Sequence, residues 1–490
     1  MLIAPIKDNL NRIVVASALF SGVYILYFTI IYFGWLFGVL FGFVPIGLVI
    51  TLWLFHQPKW MYIIIYTINY FIAGGTRYIN IPVGITMDIL LIIMFLILFV
   101  ESGKKNVDWI KGFNGLSSLA IIWLLYCFLE LFNPQVTSAE AWMTSIRGVA
   151  GYFFIIAFLT PIFFRKYKDL KLILYLWSAF TLIVVLKAIW QRYIGFDNVE
   201  KYWLYVYGAA STHILNTGIR YFSLFSDAAN FGASMGFSMV VFSIASLHMK
   251  NKWIRIYFIF VSVAASYGLL LSGTRAALAV PFAGIALFII LSKNSKIIPI
   301  ALILLISAFV FLKYTNAGQG NPLIRRMRSA FNTEDASFQL RMSNQEKMKT
   351  YMIDKPFGVG LGLGGGKAKR YAPEAYMSQI PTDSWFVMIW VETGVVGLIL
   401  HLFILIYIVV YGLYLSMFKL KDKELRGIHN GLISGIFGMM VASYANEVFA
   451  QFPNGFLIYT SQAFIFLALI YDKELEEKQL NENNKYELNP

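Results

Sequence analysis

The sequence contains a single cysteine, Cys127, which lies in an apolar run. One cysteine excludes an internal disulfide framework, an iron–sulfur cluster and a cysteine-based zinc site. Charged residues make up 13% of the chain, whereas ordinary soluble domains have about 25%. Hydrophobic residues reach 59%, against about 45–50% in soluble domains. This composition excludes a soluble globular enzyme, and it also excludes a disordered chain, which needs low hydrophobicity.

Long apolar runs dominate the 490 residues. A membrane helix needs roughly 20 mostly apolar residues. No cleavable signal peptide is expected, because Lys7 and Arg12 precede a full-length span. The sequence therefore predicts an all-α fold, a polytopic transmembrane helix bundle of about 12–14 spans with one large extracytoplasmic loop. The candidate spans are 13–33, 35–55, 60–74, 83–100, 115–132, 142–164, 170–191, 221–247, 253–271, 276–292, 297–313, 385–417, 428–449 and 455–471.

The basic residues predict the orientation of this bundle. The formal charge of +14 could suggest nucleic acid, but in a membrane protein the first explanation is an excess of Lys and Arg in cytoplasmic loops. With the N-terminus in the cytoplasm, the inner segments carry 22 basic residues. The short outer loops carry five, namely Arg77, Arg192, Lys201, Arg220 and Arg275. Both termini are therefore predicted to be cytoplasmic, in a bacterial inner membrane, and no nucleic-acid partner is expected.

The loop 314–384 is the exception, because it lies outside and carries ten basic residues. A basic outer surface fits an anionic ligand such as a phosphate or pyrophosphate, or a solvated loop beside lipid headgroups. The predicted organisation is N-terminal transmembrane helices at 1–200, transmembrane helices with the Arg220 and Arg275 motifs at 201–313, the outer loop at 314–384, C-terminal transmembrane helices at 385–471 and a cytoplasmic tail at 472–490.

Three segments of the predicted outer face carry candidate functional residues. Arg220 precedes a predicted span, and Asp227 and Asn230 lie about two turns inside it on one helix face. Polar residues inside a span usually face a cavity or a partner, although an interface arginine can also snorkel to headgroups. Arg275 stands at an outer helix start, where exposed N–H groups add to an anion site. Arg341 opens a helix-like stretch of the long loop.

The glycine run of the loop does not indicate a nucleotide site. Gly360, Gly362 and Gly365 satisfy G-x-G-x-x-G, but no βαβ unit surrounds them. A Walker A motif fails because Ala368 follows Lys367. We expect instead a tight turn close to a ligand or to the membrane surface. No metal site or cofactor is expected either, because the five histidines form no metal-spaced pair: His56, His213, His248, His401 and His429.

The motifs of this chain, and the order in which they follow one another, resemble those of the O-antigen ligase and polymerase family of polytopic inner-membrane proteins. The resemblance covers about residues 200–415 and rests on four segments: G-x-R-x-x-x-x-F-x-D-x-x-N-F-G at 218–232, S-G-T-R at 272–275, Arg341 ahead of K-P-F-G-V-G-L-G at 355–362, and D-S-W-F-x-x-x-W-V-E-T-G-V-V-G at 383–397. It implies a metal-independent glycosyltransferase that uses a glycan on undecaprenyl pyrophosphate as donor, at the periplasmic face. Arginines hold the pyrophosphate in this family.

This chain departs from the ligases at one position. In the ligases, a histidine is proposed as the base that activates the acceptor hydroxyl. The equivalent position in this chain is Asp383, or Thr382 if the alignment shifts by one residue. Threonine is no useful base near neutral pH, so Asp383 is the first candidate and Glu392 the second. Alternatively, the arginines carry most of the catalysis by stabilising the leaving group. The missing histidine weakens the case for a ligase and slightly favours a polymerase.

These residues predict a mechanism and its partners. Arg220, Arg275 and Arg341 would hold the pyrophosphate, while Asp227 and Asn230 would orient Arg220 or bind sugar hydroxyls. The expected partners are membrane lipids, the undecaprenyl-pyrophosphate-linked glycan, an acceptor that is a glycan or lipid A–core, and other polysaccharide assembly proteins. Protein O-glycosylation is a further alternative. A flippase or transporter is the rival from another class, but such proteins often show internal repeats, and none is evident here.

Overall fold

A computed structural model describes residues 21–22, 24, 57–79, 82–104, 106–215, 218–292, 296–331 and 336–488. The predicted spans 13–33 and 35–55 therefore lie outside the described residues, apart from Ser21, Gly22 and Tyr24.

Helices dominate the described part of the chain and confirm the all-α prediction. A two-stranded antiparallel hairpin, β1 (Ile214–Leu215) and β2 (Gly218–Ile219), pairs Ile214 with Ile219. The helices are α1 Pro58–Gly75, α2 Val83–Gly103, α3 Gly115–Leu129, α4 Ala139–Ile146, α5 Tyr152–Phe163, α6 Tyr167–Tyr193, α7 Asn198–Tyr205, α8 Ala210–His213, α9 Ala228–Ser246, α10 Lys252–Ser272, α11 Ala279–Leu291, α12 Ile297–Tyr314, α13 Pro322–Arg328, α14 Ala336–Tyr351, α15 Trp385–Tyr414, α16 Lys423–Ala442 and α17 Asn454–Leu488.

Contacts divide the chain into two compact units, Met1–Ile65 with Asp88–Val107 and Tyr66–Met87 with Asp108–Pro490. In the first unit, the Glu101 carboxylate closes the end of α2 by accepting hydrogen bonds from Lys104 Nζ at 2.7 Å and from Asn106 Nδ2 at 2.8 Å. All residues of the candidate site described below belong to the second unit.

Eight helical stretches of the described residues are long and apolar enough to cross a membrane, which indicates a multi-pass membrane protein. Arg275–Leu291 and Ile298–Tyr314 are shorter apolar helices. The eight stretches are Gly84–Gly103, Gly115–Phe132, Ala139–Phe163, Tyr167–Tyr193, Ala228–Ser246, Lys252–Ser272, Trp385–Lys419 and Asn454–Asn481.

Two predicted span boundaries are wrong. The span predicted at 221–247 begins only at Ala228, and the one predicted at 428–449 ends at Ala442. Both excess segments are loops that bury large apolar residues, for example Phe222 and Phe449. Hydropathy alone does not distinguish such a buried loop from the end of a membrane helix.

Ion pairs gather four segments that the charge pattern predicts to be cytoplasmic. Lys171 contacts Glu424 at 2.5 Å, and Lys250 contacts Asp422 at 2.7 Å. The Asp472 carboxylate accepts a hydrogen bond from the backbone N–H of Asp422 at 3.0 Å. These segments therefore meet at one end of the second unit. Helix α10 starts at this end with Lys252, and its 21 residues extend about 30 Å toward the candidate site.

Near the site, α15 is kinked at Gly394, where φ is 69°. The glycine-rich segment 355–365 packs into this kink: the N–H of Val359 donates to the Val391 carbonyl at 2.9 Å, and the N–H of Gly360 donates to the Glu392 carbonyl at 3.0 Å. A Cβ at position 394 would collide with the Pro356 carbonyl. Glycine is therefore required both by the backbone conformation and by the close approach.

We expect Gly394→Ala to lower the thermal unfolding midpoint of the detergent-purified protein markedly. A positive φ at a residue other than glycine costs roughly 1–3 kcal/mol, and the collision with Pro356 adds to that cost. Gly320→Ala is the matched control, because no described heavy atom lies within 4 Å of a Cβ added there. Equal midpoints for the two variants would contradict this account of the kink.

Candidate functional site

The turn that follows α10 anchors Arg220. The Arg220 guanidinium donates to the Thr274 hydroxyl at 3.0 Å and to the Thr212 carbonyl at 3.0 Å. Burial lowers the pKa of Arg220, the Asp227 carboxylate opposes this shift, and the charge of Arg275 adds to it. Arg220 Nε is buried and has no hydrogen-bond partner within the described residues. Arg220 is thus held close enough to a second arginine for the two charges to repel each other.

A third arginine, Arg326 on α13, approaches the same turn. Its Nε donates to the Gly273 carbonyl at 2.5 Å. Gly273 has a φ of 56°, and a Cβ there would lie 3.0 Å from Arg326 and 3.4 Å from Arg220. Arg275 directly follows this turn and donates to the Ser329 hydroxyl at 3.4 Å. We call Arg220, Arg275 and Arg326 the arginine cluster.

The sequence analysis proposed Arg341 instead of Arg326 as the third arginine. Arg341 is half-buried on α14, and its Nε is buried without a hydrogen-bond partner among the described residues. None of its described contacts links it to Arg220 or Arg275, so its role in binding stays a prediction. The run of Arg325, Arg326 and Arg328 was visible in the sequence, but nothing in the run indicates which arginine turns toward Gly273.

Asp227 and Asn230 lie at the start of α9 and not two turns inside it. The Asp227 carboxylate caps the helix, accepting hydrogen bonds from the N–H groups of Ala229 at 2.8 Å and of Asn230 at 2.9 Å. The buried Asn230 side chain donates to the Phe452 carbonyl at 2.6 Å. Both residues thus have structural contacts, and Asp227 also remains within electrostatic reach of Arg220.

Arg77 is a functional candidate that the sequence analysis missed. It donates to the carbonyls of Ser223 at 3.2 Å and Ser226 at 3.0 Å, and its guanidinium lies 4.3 Å from the centre of the Trp203 ring. Burial lowers the pKa of Arg77 to about 10, although the Glu200 carboxylate opposes the shift. Arg77 thereby holds the loop that leads into the Asp227 cap. No motif surrounds it, so only the folded structure reveals this contact.

Two cavities lie beside these residues, and Lys367 lines both. The wide cavity has a volume of about 430 Å³ and is lined by Ala73, Thr76, Arg77, Trp203, Ser226, Asp227, Lys367, Gln451 and Phe452. The narrow cavity has a volume of about 190 Å³ and is lined by Ala141, Thr144, Ser145, Gly148, Val149, Gly362, Gly364, Gly365, Gly366, Lys367, Tyr371, Thr382, Met388, Glu392, Glu447 and Ala450.

Glu447 connects two segments at the narrow cavity. Its carboxylate accepts a hydrogen bond from the Thr382 hydroxyl at 2.6 Å and contacts Lys367 Nζ at 2.7 Å. Glu447 follows α16, in the segment that hydropathy assigned to a membrane span. Because the predicted span 428–449 includes Glu447, the sequence did not indicate this residue as a candidate for a site that is open to water.

The two candidate bases that the sequence indicates, Asp383 and Glu392, lie in different environments. Asp383 has a φ of 49° and an exposed side chain, and it lines neither described cavity. Glu392 is 2% exposed and lines the narrow cavity. The Ser145 hydroxyl donates to its carboxylate at 3.5 Å. Thr382, the other residue that could align with the ligase histidine, is buried and lines the narrow cavity.

Comparison with known proteins places these features in a family context. A sequence model described as O-antigen ligase matches residues 260–402. An O-antigen polymerase from Salmonella muenchen is 22% identical over 332 residues, which cover 64% of this chain and 78% of the relative. The matched region contains the S-G-T-R motif, Arg341, the glycine run and the 383–397 motif, whereas Arg220 precedes it. Both findings confirm the resemblance inferred from the motifs.

The capping role of Asp227 can be tested by stability. We expect Asp227→Ala to lower the thermal unfolding midpoint in detergent, because losing a helix cap costs about 0.5–2 kcal/mol. Asp227→Asn keeps an acceptor oxygen and should stay close to the wild-type midpoint. An Ala variant as stable as the Asn variant would contradict the capping role.

Proposed function

We propose, from its place in the O-antigen ligase and polymerase family, that this multi-pass membrane protein transfers glycan from undecaprenyl pyrophosphate at the periplasmic face. The reaction needs no metal or cofactor in this proposal, and its product serves surface polysaccharide biosynthesis. Extension of a lipid-linked repeat unit is the favoured reaction. The protein would lie in the bacterial inner membrane with both termini in the cytoplasm, in line with the distribution of its basic residues.

The observation that carries this proposal is the arginine cluster at the turn that follows α10. Guanidinium groups bind phosphate oxygens through two parallel hydrogen bonds, and they are always charged. A pyrophosphate beside Arg220 and Arg275 would also compensate the repulsion between these two groups. Asp227 connects the cluster to the wide cavity, because it lies within electrostatic reach of Arg220 and lines that cavity. The cavity volume of about 430 Å³ falls in the range of small-molecule sites, about 300–1,000 Å³.

In the proposed glycan transfer, negative charge develops on the pyrophosphate leaving group. The acceptor oxygen forms a bond to the anomeric carbon of the donor sugar while the bond from that carbon to the pyrophosphate oxygen breaks. The electron pair of the broken bond stays on the pyrophosphate, which remains attached to its lipid. Cationic groups at this position stabilise the leaving group, and one well-placed donor of this kind is typically worth about 3 kcal/mol.

Two acceptors remain in competition. The matched family model is described as O-antigen ligase, which supports transfer to lipid A–core. The relative from Salmonella muenchen is named O-antigen polymerase, and Thr382 and Asp383 stand where ligases have histidine, which supports polymerisation. Transfer to protein hydroxyls is a third acceptor choice for the same donor site.

We expect Arg220→Ala, Arg275→Ala and Arg326→Ala each to reduce glycan transfer by roughly 100-fold, since each removes one contact to the leaving group. The measurement is release of undecaprenyl pyrophosphate from purified lipid-linked glycan by the reconstituted protein. Arg255→Ala is the matched control, because Arg255 is an exposed arginine in the first turn of α10, at the opposite end of the bundle. Wild-type turnover in all three cluster variants would refute the proposed pyrophosphate site.

The same assay separates the candidate functions when different acceptors are supplied. A polymerase should extend lipid-linked repeat units into a ladder with lipid-linked glycan alone. A ligase should form product only when lipid A–core is added. Translocation of the donor across the membrane without any new glycosidic bond would indicate a flippase and would contradict the proposed function.

A further inference from the structure

We propose that Glu447 is the base that accepts the proton of the acceptor hydroxyl, with the acceptor bound at the narrow cavity. This inference rests on the proposed function, because it assigns the proton transfer of that same reaction. The sequence motifs indicate Asp383 or Glu392 as the base, and Glu447 belongs to none of these motifs.

Glu447 has an accessible carboxylate with unused acceptor capacity. Its side chain is 15% exposed at the narrow cavity. One oxygen accepts from Thr382 and the other contacts Lys367. Two carboxylate oxygens offer about four acceptor positions, so these partners leave capacity for an incoming hydroxyl. The Lys367 side chain is 72% exposed, so it can shift without disrupting the packed interior.

The other carboxylates near the cavities are less suitable. Asp227 is occupied by the first N–H groups of α9. Glu392 lies in the kinked membrane helix and is only 2% exposed, and its carboxylate accepts a hydrogen bond from the Ser145 hydroxyl at 3.5 Å. Asp383 is exposed and lines neither described cavity. Glu447 alone among these four combines a lining position with an ion pair to an exposed lysine, Lys367.

Lys367 provides the connection to the donor. It lines the narrow cavity together with Glu447, and it lines the wide cavity together with Asp227. An acceptor hydroxyl held by Glu447 would therefore stand at the junction of the two cavities. A donor whose pyrophosphate contacts the arginine cluster would reach the same junction through the wide cavity.

The proton transfer is balanced as follows. The acceptor hydroxyl gives its proton to the Glu447 carboxylate as its oxygen attacks the anomeric carbon. The bond to the pyrophosphate breaks, and the lipid pyrophosphate leaves with the electron pair. Glu447 then releases the proton to water. The ionisable groups that line the narrow cavity together with Glu447 are Lys367, Glu392 and Tyr371, and Asp227 acts electrostatically on Lys367.

Glu447→Gln tests the proposal in the reconstituted assay. We expect turnover to fall by roughly 10²–10⁴-fold, the usual contribution of a general base, while the affinity for the lipid-linked donor is retained. Glu374→Gln is the matched control, since Glu374 is exposed in the outer loop that also carries Lys367 and lines neither described cavity. Wild-type turnover of Glu447→Gln would overturn the proposal.

A conservative variant distinguishes a base from a structural glutamate. Glu447→Asp keeps a carboxylate that can accept a proton, whereas Glu447→Gln keeps only an acceptor oxygen for the contacts with Thr382 and Lys367. We expect Glu447→Asp to retain clearly more turnover than Glu447→Gln in the reconstituted assay. Equal turnover of the two variants would overturn the proposal.

Two further outcomes locate the error if the proposal fails. Loss of turnover in Asp383→Asn together with activity of Glu447→Gln would assign the base to Asp383 and overturn the present inference alone. Absence of any new glycosidic bond with the wild-type protein would instead contradict the proposed function itself.

Discussion

The turn Ser272–Arg275 holds the site together through hydrogen bonds to the Thr274 side chain and the Gly273 carbonyl. The Thr274 hydroxyl donates to the Ala228 carbonyl at 2.9 Å and accepts from Arg220 at 3.0 Å. It thereby joins the end of α10, the start of α9 and the loop before α9. The Gly273 carbonyl brings in Arg326 from α13. Three guanidinium groups are thus held near one turn, and such an arrangement favours an anionic ligand.

Much of the fold could be predicted from the sequence, because membrane helices have a strong hydropathic signal and loop charges report orientation. The order of motifs also indicated Arg220 and Arg275. Arg326 and Glu447 could not be predicted, for different reasons. Arg326 is one of ten basic residues in the outer loop, and its tertiary contact with Gly273 is invisible in the sequence. Glu447 was concealed because the buried loop after α16 is as apolar as the helix before it.

The glycine-rich segment illustrates a second limit of sequence analysis. Its pattern predicted a tight turn near a ligand or the membrane surface, and the structure packs it into the kink at Gly394. This packing carries Lys367 and Thr382 to the narrow cavity beside Glu447. Thr382 is one of the two residues that could align with the ligase histidine, and its hydroxyl donates a hydrogen bond to the Glu447 carboxylate. The proposed base is therefore one hydrogen bond away from the position that the resemblance highlighted.

The central claim is that the arginine cluster binds the pyrophosphate of the lipid-linked donor. Its most direct test is an electron cryomicroscopy structure of the protein with a bound, non-transferable polyprenyl pyrophosphate glycan. The account predicts density for the pyrophosphate between Arg220, Arg275 and Arg326, with the first sugar directed into the wide cavity. Density for the pyrophosphate at another part of the molecule, with the cluster still packed around Gly273, would contradict it.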